Sequence, residues 1–224
     1  MKDVSHNSQT TALELTTAAF FGDAHIYPAS VELFSQGAHP GDLYFVHSGI
    51  LKLARLERNG QEILLDLRFP GSLVGSAAAI KEKPHPFAAV TVTSCTLTRL
   101  SSRKFLSLLA TDISLAAHVR EILSDEVLDH VERISQLTCL SARQRLEQLL
   151  WRFCEQLPPS RTHSQSETTS KLQLPLKQYE IAHLLSITPT YLCRLLNALE
   201  KEDVISRTKG WIMISKPSEL WHAT

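Results

Sequence analysis

The four cysteines of this 224-residue chain, Cys95, Cys139, Cys154 and Cys193, never come within metal-ligand spacing, and no CxxC occurs. That excludes a zinc finger or ribbon, a disulfide framework and a cluster held by neighbouring thiolates. Paired histidines are lacking as well. His25, His39, His47 and His85 stand alone with no HxH among them, so no metal site is expected and a cupin-like enzyme is disfavoured. No apolar run reaches the roughly 18 residues that span a bilayer, and no signal peptide opens the chain. A cytoplasmic protein without a membrane partner is therefore expected, and no enzyme activity. Net charge is missing too, because 23 Lys and Arg balance 23 Asp and Glu. A chain that is neutral overall does not hold a polyanion by bulk charge.

The charge present is unevenly placed. Lys171, Lys177, Arg194, Lys201, Arg207, Lys209 and Lys216 outnumber Glu180, Glu200, Glu202 and Asp203 in the C-terminal stretch. Glu121, Asp125, Glu126, Asp129 and Glu132 make the segment around 120–133 acidic. A local basic face on a neutral chain fits a regulated binder of double-stranded DNA.

The basic stretch also carries the sharpest local pattern. Ile181, Leu184 and Leu185 share one helical face, and Leu192, Leu195, Leu196 and Leu199 share another. Between them stands Ser186-Ile187-Thr188-Pro189. Thr188 can cap the second helix through its hydroxyl, and Pro189 suits the first helical position, where no N–H is needed. That helix opens with polar Thr188, Thr190 and Tyr191 and carries Arg194 one turn later, over an apolar back. A helix that reads base edges needs this arrangement. Val204 to Ile214 then reads as two short strands around a basic turn with Arg207 and Lys209 at its tip, where they can lie against phosphates. Helix, turn, helix and hairpin make a winged helix-turn-helix. Lys177, Thr188, Pro189, Thr190, Tyr191, Arg194, Arg207 and Lys209 are its expected DNA contacts.

Upstream, short apolar runs separated by glycine turns fill residues 27–100. They include Val31–Phe34, Leu43–Val46, Ile50–Leu56 ahead of Asn59-Gly60, and Glu62–Leu67 ahead of Pro70-Gly71. Ala88 to Leu100 is rich in threonine and valine. The spacing predicts an antiparallel β-roll of jelly-roll type with room for a small ligand. From Asp112 to about Leu140 the pattern is helical. Leu123, Val127, His130, Ile134 and Leu137 recur at steps of 4, 3, 4 and 3, a heptad seam suited to a twin helix. Leu115, Val119, Ile122, Leu128 and Val131 form a second stripe, able to pack on the roll. Ser141 with Gln144 forms a capping box that restarts helix. Pro158 to Ser170 reads as an exposed loop. The expected organisation is an α+β chain of three parts. Residues 1–111 form a β-roll sensor domain, 112–140 a dimerisation helix, and 141–224 the winged helix-turn-helix.

That order resembles the cyclic-AMP receptor protein / fumarate-nitrate-reduction regulator (Crp/Fnr) family. The resemblance runs from about residue 28 and rests on Glu180–Leu185 with Thr188, on Arg194–Glu200, and on the turns at Gly49, Gly60, Gly71 and Gly75. It implies a cytoplasmic homodimer that regulates transcription on a two-fold symmetric operator, in most members by recruiting RNA polymerase. It also implies that Arg194 contacts a guanine and that Thr188, Pro189 and Thr190 lie at the major groove.

Two departures bear on function. Cyclic-AMP binders of the family carry a glutamate after the glycine matching Gly75, and an Arg-Ser pair about ten residues on. Here the chain reads Gly75-Ser76-Ala77-Ala78-Ala79 and Lys83-Pro84-His85-Pro86-Phe87, with no arginine between Arg68 and Arg99. A buried cyclic phosphate without a cationic fork is poorly compensated, so cyclic AMP is not the expected effector. The polar pair that caps the adenine is replaced by His130 and Val131. Gly75, Ser76, Ala77, His85 and His130 line the expected effector pocket of unknown ligand. The alternative cofactor is haem in a gas or redox sensor on this scaffold, with His25, His39, His47, His85, His118 and His130 as candidate ligands. An iron-sulfur cluster is disfavoured by the absence of N-terminal cysteines. The second departure is Thr190, with Pro189 before it, where the family usually has glutamate, which points to an altered half-site.

Overall fold

A computed structural model describes residues 22–156, 172–208, 211–215 and 220. The chain divides into two compact units that part within one helix, at Asp129 and His130.

In the first unit two four-stranded antiparallel sheets form the roll. One runs β1 (Ala24–Tyr27), β8 (Cys95–Ser101), β3 (Asp42–Ser48), β6 (Leu73–Val74). The other runs β2 (Glu32–Phe34), β7 (Ala88–Thr91), β4 (Leu51–Leu56), β5 (Glu62–Arg68). The expected apolar runs become β2, β3, β4 and β5. The Thr/Val-rich stretch splits into β7 and β8, and the edge strand β1 had no sequence signal. In β3 the two faces of the pleat serve two cores. Leu43 and Phe45 pack with Leu73, Leu100 and Phe105, while Tyr44 and Val46 pack with Leu51, Leu53, Val74 and Leu97. A strand buried on both faces loses the apolar–polar alternation of a half-buried one.

Two turns require glycine. Gly49 has φ +88°, and a Cβ there would stand 2.5 Å from the Ser94 carbonyl oxygen. Gly75 has φ +94° and caps the short helix α1 (Ser76–Lys81). Helix α2 (Ser102–Thr111) follows β8, with the Ser101 hydroxyl accepting from the Lys104 N–H. Neither α1 nor α2 was expected. Six residues are too few to display a helical period, and α2 directly continues a strand.

Helix α3 (Ile113–Cys139) matches the expected long helix. Leu115, Val119 and Ile122 are buried against Leu43, Phe45 and Phe105. Leu123, expected on the outer seam, is half-buried and packs on this same cluster. Farther along, Val127, Leu128, Val131 and Ile134 are 58–65% exposed and Leu137 is 38% exposed. The second stripe therefore divides, its N-terminal half lying on the roll and its C-terminal half open to solvent.

The second unit holds α4 (Ala142–Gln156), α5 (Gln178–Leu184), α6 (Pro189–Lys201) and a sheet ordered β10 (Ile205–Thr208), β11 (Trp211–Ile214), β9 (Leu172–Gln173). Both arms of the capping box form ahead of α4. Ser141 N–H donates to Gln144 Oε1 at 2.9 Å, and Gln144 N–H donates to Ser141 Oγ at 3.3 Å. Leu146, Leu150 and Phe153 of α4 are buried, as are Ile181, Leu184, Leu192, Leu196 and Leu199 of the helix pair. The loop expected between Pro158 and Ser170 lies outside the described residues.

Candidate nucleic-acid interface

Helix α5 begins at Lys177, whose backbone N–H donates to the buried Glu180 carboxylate at 2.8 Å. The ammonium of Lys177 has no acceptor to complete a reciprocal cap, and instead lies 5.7 Å from the centre of the Tyr179 ring. At the other end of α5 the backbone turns sharply through Ser186, at φ +53°. Ser186 N–H donates to His183 O at 3.0 Å and Ile187 N–H to Ala182 O at 3.1 Å. This pattern closes a helix and satisfies two of its four orphan carbonyls.

Arginines satisfy the other two. Arg133 donates to Leu184 O at 3.3 Å, and Arg145 donates to Leu185 O at 3.1 Å. Arg145 also reaches back to Leu140 O at 2.8 Å and Leu137 O at 3.4 Å, so one guanidinium joins the end of α3 to the end of α5.

Helix α6 starts as its sequence requires. Thr188 Oγ1 accepts from Tyr191 N–H at 3.2 Å, with Pro189 following at the first helical position. Thr188, Pro189, Thr190, Tyr191 and Arg194 are all exposed. The Arg194 guanidinium has no hydrogen-bond or ion-pair partner among the described residues. The buried row Leu192, Leu196 and Leu199 holds the opposite face to the domain. Polar groups and one uncommitted guanidinium therefore stand on a rigid helix, with the geometry to enter a groove.

The acidic end of α6 is held from two sides. Arg143 forms a fork on Glu202 at 2.8 and 2.5 Å and also bonds Glu147 at 2.8 Å. These bonds hold the Glu202 carboxyl below its ordinary range and raise the Arg143 pKa. Arg207 corrects an expectation. It sits within β10, not at the hairpin tip, and its side chain turns back onto α6 instead of out toward a ligand. Its N–H donates to Glu200 Oε1 at 3.1 Å, and Nε and Nη2 donate to Glu200 Oε2 at 3.0 and 2.6 Å. Nη2 also bonds Asn197 Oδ1, and Nη1 lies 4.0 Å from Cys193 Sγ. The pairing lowers the Glu200 pKa and raises that of Arg207. Lys209, the other expected tip cation, lies outside the described residues.

In the roll, Gly75 and His85 meet through a residue the sequence did not single out. The Phe34 ring stacks on the His85 imidazole, with centroids 3.8 Å apart and planes 13° from parallel. A Cβ on Gly75 would meet the same ring at 3.3 Å. The backbone fixes this stack, with His85 N–H on Ala38 O at 2.9 Å and Gly37 N–H on His85 O at 2.8 Å. His85 is 2% exposed, its Nδ1 has no partner among the described residues, and burial pushes its pKa down. The Ser76 hydroxyl is used up on Leu73 O at 2.9 Å, and Ala77 is exposed. Lys81 and Lys83, the only cations from Gly75 to Phe87, are exposed. A buried anion would thus meet a neutral ring and no cation, so these residues do not fit a cyclic phosphate. His130 lies on α3 beyond the point where the units part, and is exposed.

The remaining haem-ligand candidates are dispersed. His25 and His39 are exposed, His47 Nε2 is 2.8 Å from Thr98 Oγ1, and His118 Nδ1 is 3.8 Å from Glu121. Among the described residues no three His, Cys, Asp or Glu side chains group as a metal site, and no helix is long and apolar enough to cross a membrane.

Comparison with known proteins agrees with both units. A cyclic nucleotide-binding domain model matches residues 24–112, and a Crp-like helix-turn-helix domain model matches residues 144–223. The chain is similar to a cAMP-activated global transcriptional regulator of Pasteurella multocida, with 23% identity over 88% of this chain and 93% of that protein. It is also similar to a cyclic AMP receptor protein of Thermus thermophilus, with 25% identity over 92% and 90% of the two chains. The fold matches that of the c-di-GMP-responsive global regulator CLP of Xanthomonas campestris, with TM-score 0.66, 22% identity, and 93% and 99% coverage.

Proposed function

The chain belongs to the Crp/Fnr family of DNA-binding transcription regulators, and from that premise we propose that it acts as a cytoplasmic homodimer on a two-fold symmetric operator. Helix α6 enters the major groove and Arg194 reads a base, a bidentate contact to guanine being the commonest specific choice for arginine. The observation that carries this is the state of Arg194. It is exposed and uncommitted one turn into a capped helix, while Arg143, Arg145 and Arg207 are all bound to protein groups. Thr188, Pro189, Thr190 and Tyr191 line the groove beside it, and Lys177 reaches phosphate from the start of α5. Lys209 is the phosphate contact of the hairpin.

The exposed apolar residues Val127, Leu128, Val131, Ile134 and Leu137 support a twin-helix dimer along α3. Leu128 and Val131 replace Leu123 in that seam. The three-part division at 112 and 141 follows, with α3 shared by both units. RNA polymerase is the protein partner in this reading. The roll serves as a sensor whose effector is not cyclic AMP, a reading supported by the Phe34 ring stacked on the buried His85 and by the exposure of Lys81 and Lys83.

Selection of binding sites from random duplexes tests the proposal. A palindromic consensus should emerge, and Arg194→Ala should flatten the preference at one symmetric pair of positions. A consensus without two-fold symmetry, or one identical for parent and variant, overturns it.

A further inference from the structure

The hairpin cation Arg207 spends its donors inside the domain. Three of its N–H groups converge on the Glu200 carboxylate and one also takes Asn197 Oδ1. Cys193, Asn197 and Glu200 follow one another at steps of four and three, so they form a single edge of α6 spanning its middle and end. Arg207 lies across that edge from a strand that pairs with β11, opposite Ile212. A guanidinium holding one carboxylate by two N–H bonds, with the backbone amide beside them, fixes direction as well as distance, since its donors are coplanar. The Arg207 side chain is 24% exposed, too enclosed to swing out without giving up these bonds.

We propose that Arg207 is a positioning residue of the DNA-binding domain, which sets the angle of the β10–β11 hairpin to α6 through Glu200 and does not itself contact phosphate. The proposal rests on α6 being the recognition helix only for its consequence on DNA, and its geometric part stands without that reading. The hairpin is presented to DNA in one orientation, so operator binding gains more from Arg207 than binding to unrelated duplex does.

The test uses the full-length protein as parent, Arg207→Ala, and the charge-swapped pair Arg207→Glu with Glu200→Arg. In the DNA-free protein, amide exchange at Ile205, Ser206 and Thr208 should speed at least about tenfold in Arg207→Ala and return toward the parent rate in the swap. Unchanged exchange in Arg207→Ala overturns the proposal whatever happens on DNA. On DNA, Arg207→Ala should lower operator affinity about tenfold and unrelated-duplex affinity less than threefold, with an unchanged salt slope. The swap keeps net charge and a side-chain ion pair, though not the backbone bond of residue 207, and should recover operator affinity to within about threefold of the parent. A shallower salt slope by about one unit per half-site, with the swap binding worse than Arg207→Ala, would make Arg207 a phosphate ligand and defeat the proposal. If α6 is not the recognition helix, Arg194→Ala leaves site preference untouched while the exchange results still decide the role of Arg207.

Discussion

The roll and the C-terminal unit inherit the same family architecture and treat charge in opposite ways. In the C-terminal unit arginines hold the working surface from behind, on Glu200, on Glu202 and on the terminal carbonyls of α5. Arg194 is left to face outward. In the roll Gly75 lies in the left-handed region with α1 after it, and the cations between Gly75 and Phe87, Lys81 and Lys83, are exposed. Beside Gly75 the Phe34 ring stacks on the buried His85. Backbone shape and ligand chemistry are thus separable: a fold can be kept by packing while its ligand specificity is rewritten by a few side chains.

The largest effect should come from severing the proposed twin-helix dimer. Val127→Glu places like charges face to face in the α3 seam. Sedimentation should show monomers, and operator affinity should fall on the order of a hundredfold or more, because simultaneous engagement of two half-sites is lost. A dimeric Val127→Glu would move the interface away from α3.

Next in size is the loss of the outward arginine of α6, Arg194. Arg194→Ala should cost about 1–3 kcal/mol of operator binding, or roughly five- to 150-fold. Titration against single-base variants of the operator checks it, and the variant should no longer discriminate at the position Arg194 reads.

A smaller effect is expected at Glu126, an acidic residue of α3. Burial raises the Glu126 pKa, Arg68 opposes the rise, and Asp66 and Asp129 add to it. Its Oε1 has no partner among the described residues. The folded state therefore prefers the protonated acid. That contribution is fully present below the unfolded carboxyl range and is lost as pH rises through the higher folded value. Glu126→Gln should melt above the parent at pH 8, and the gap should close toward pH 4.5. A gap that stays constant across that range would show that Glu126 does not titrate differently in the folded protein.

The smallest effect is expected from cyclic AMP itself. A ligand at a hundred times its Kd adds about 2.7 kcal/mol of stability, several degrees in melting temperature for a domain of this size. Cyclic AMP at about 1 mM should shift neither melting temperature nor operator affinity, so a Kd near 10 μM or below would reveal itself at once.

Local rules made part of this molecule legible. The cap at Thr188 with Pro189, the Ser141–Gln144 box and the heptad pattern of α3 involve groups three to seven residues apart, and such groups meet whenever the helix forms. What lay beyond reach depends on tertiary meeting points. Phe34 stacks on His85 across 51 positions of sequence, and nothing in the period of β2 marks it. Arg207 looked like a tip cation because the hairpin length could be guessed but not its register, and one step of register decides whether a side chain faces α6 or solvent. Leu123 fits the heptad seam by spacing, yet the roll takes it first, since the helix turns one face to the sheet before it turns the other to solvent.

The bonds of Arg145 also differ in the length of chain they enclose. Its bonds to Leu140 and Leu137 close over five and eight residues, whereas its bond to Leu185 closes over forty. Loop closure costs more as the enclosed chain lengthens. The junction of α3 and α4 can therefore knit as soon as both helices form, with half of the guanidinium fork still waiting. Docking of the α5–α6 pair completes the fork, and the Leu185 carbonyl at the end of α5 then gains its donor from a side chain already held in place.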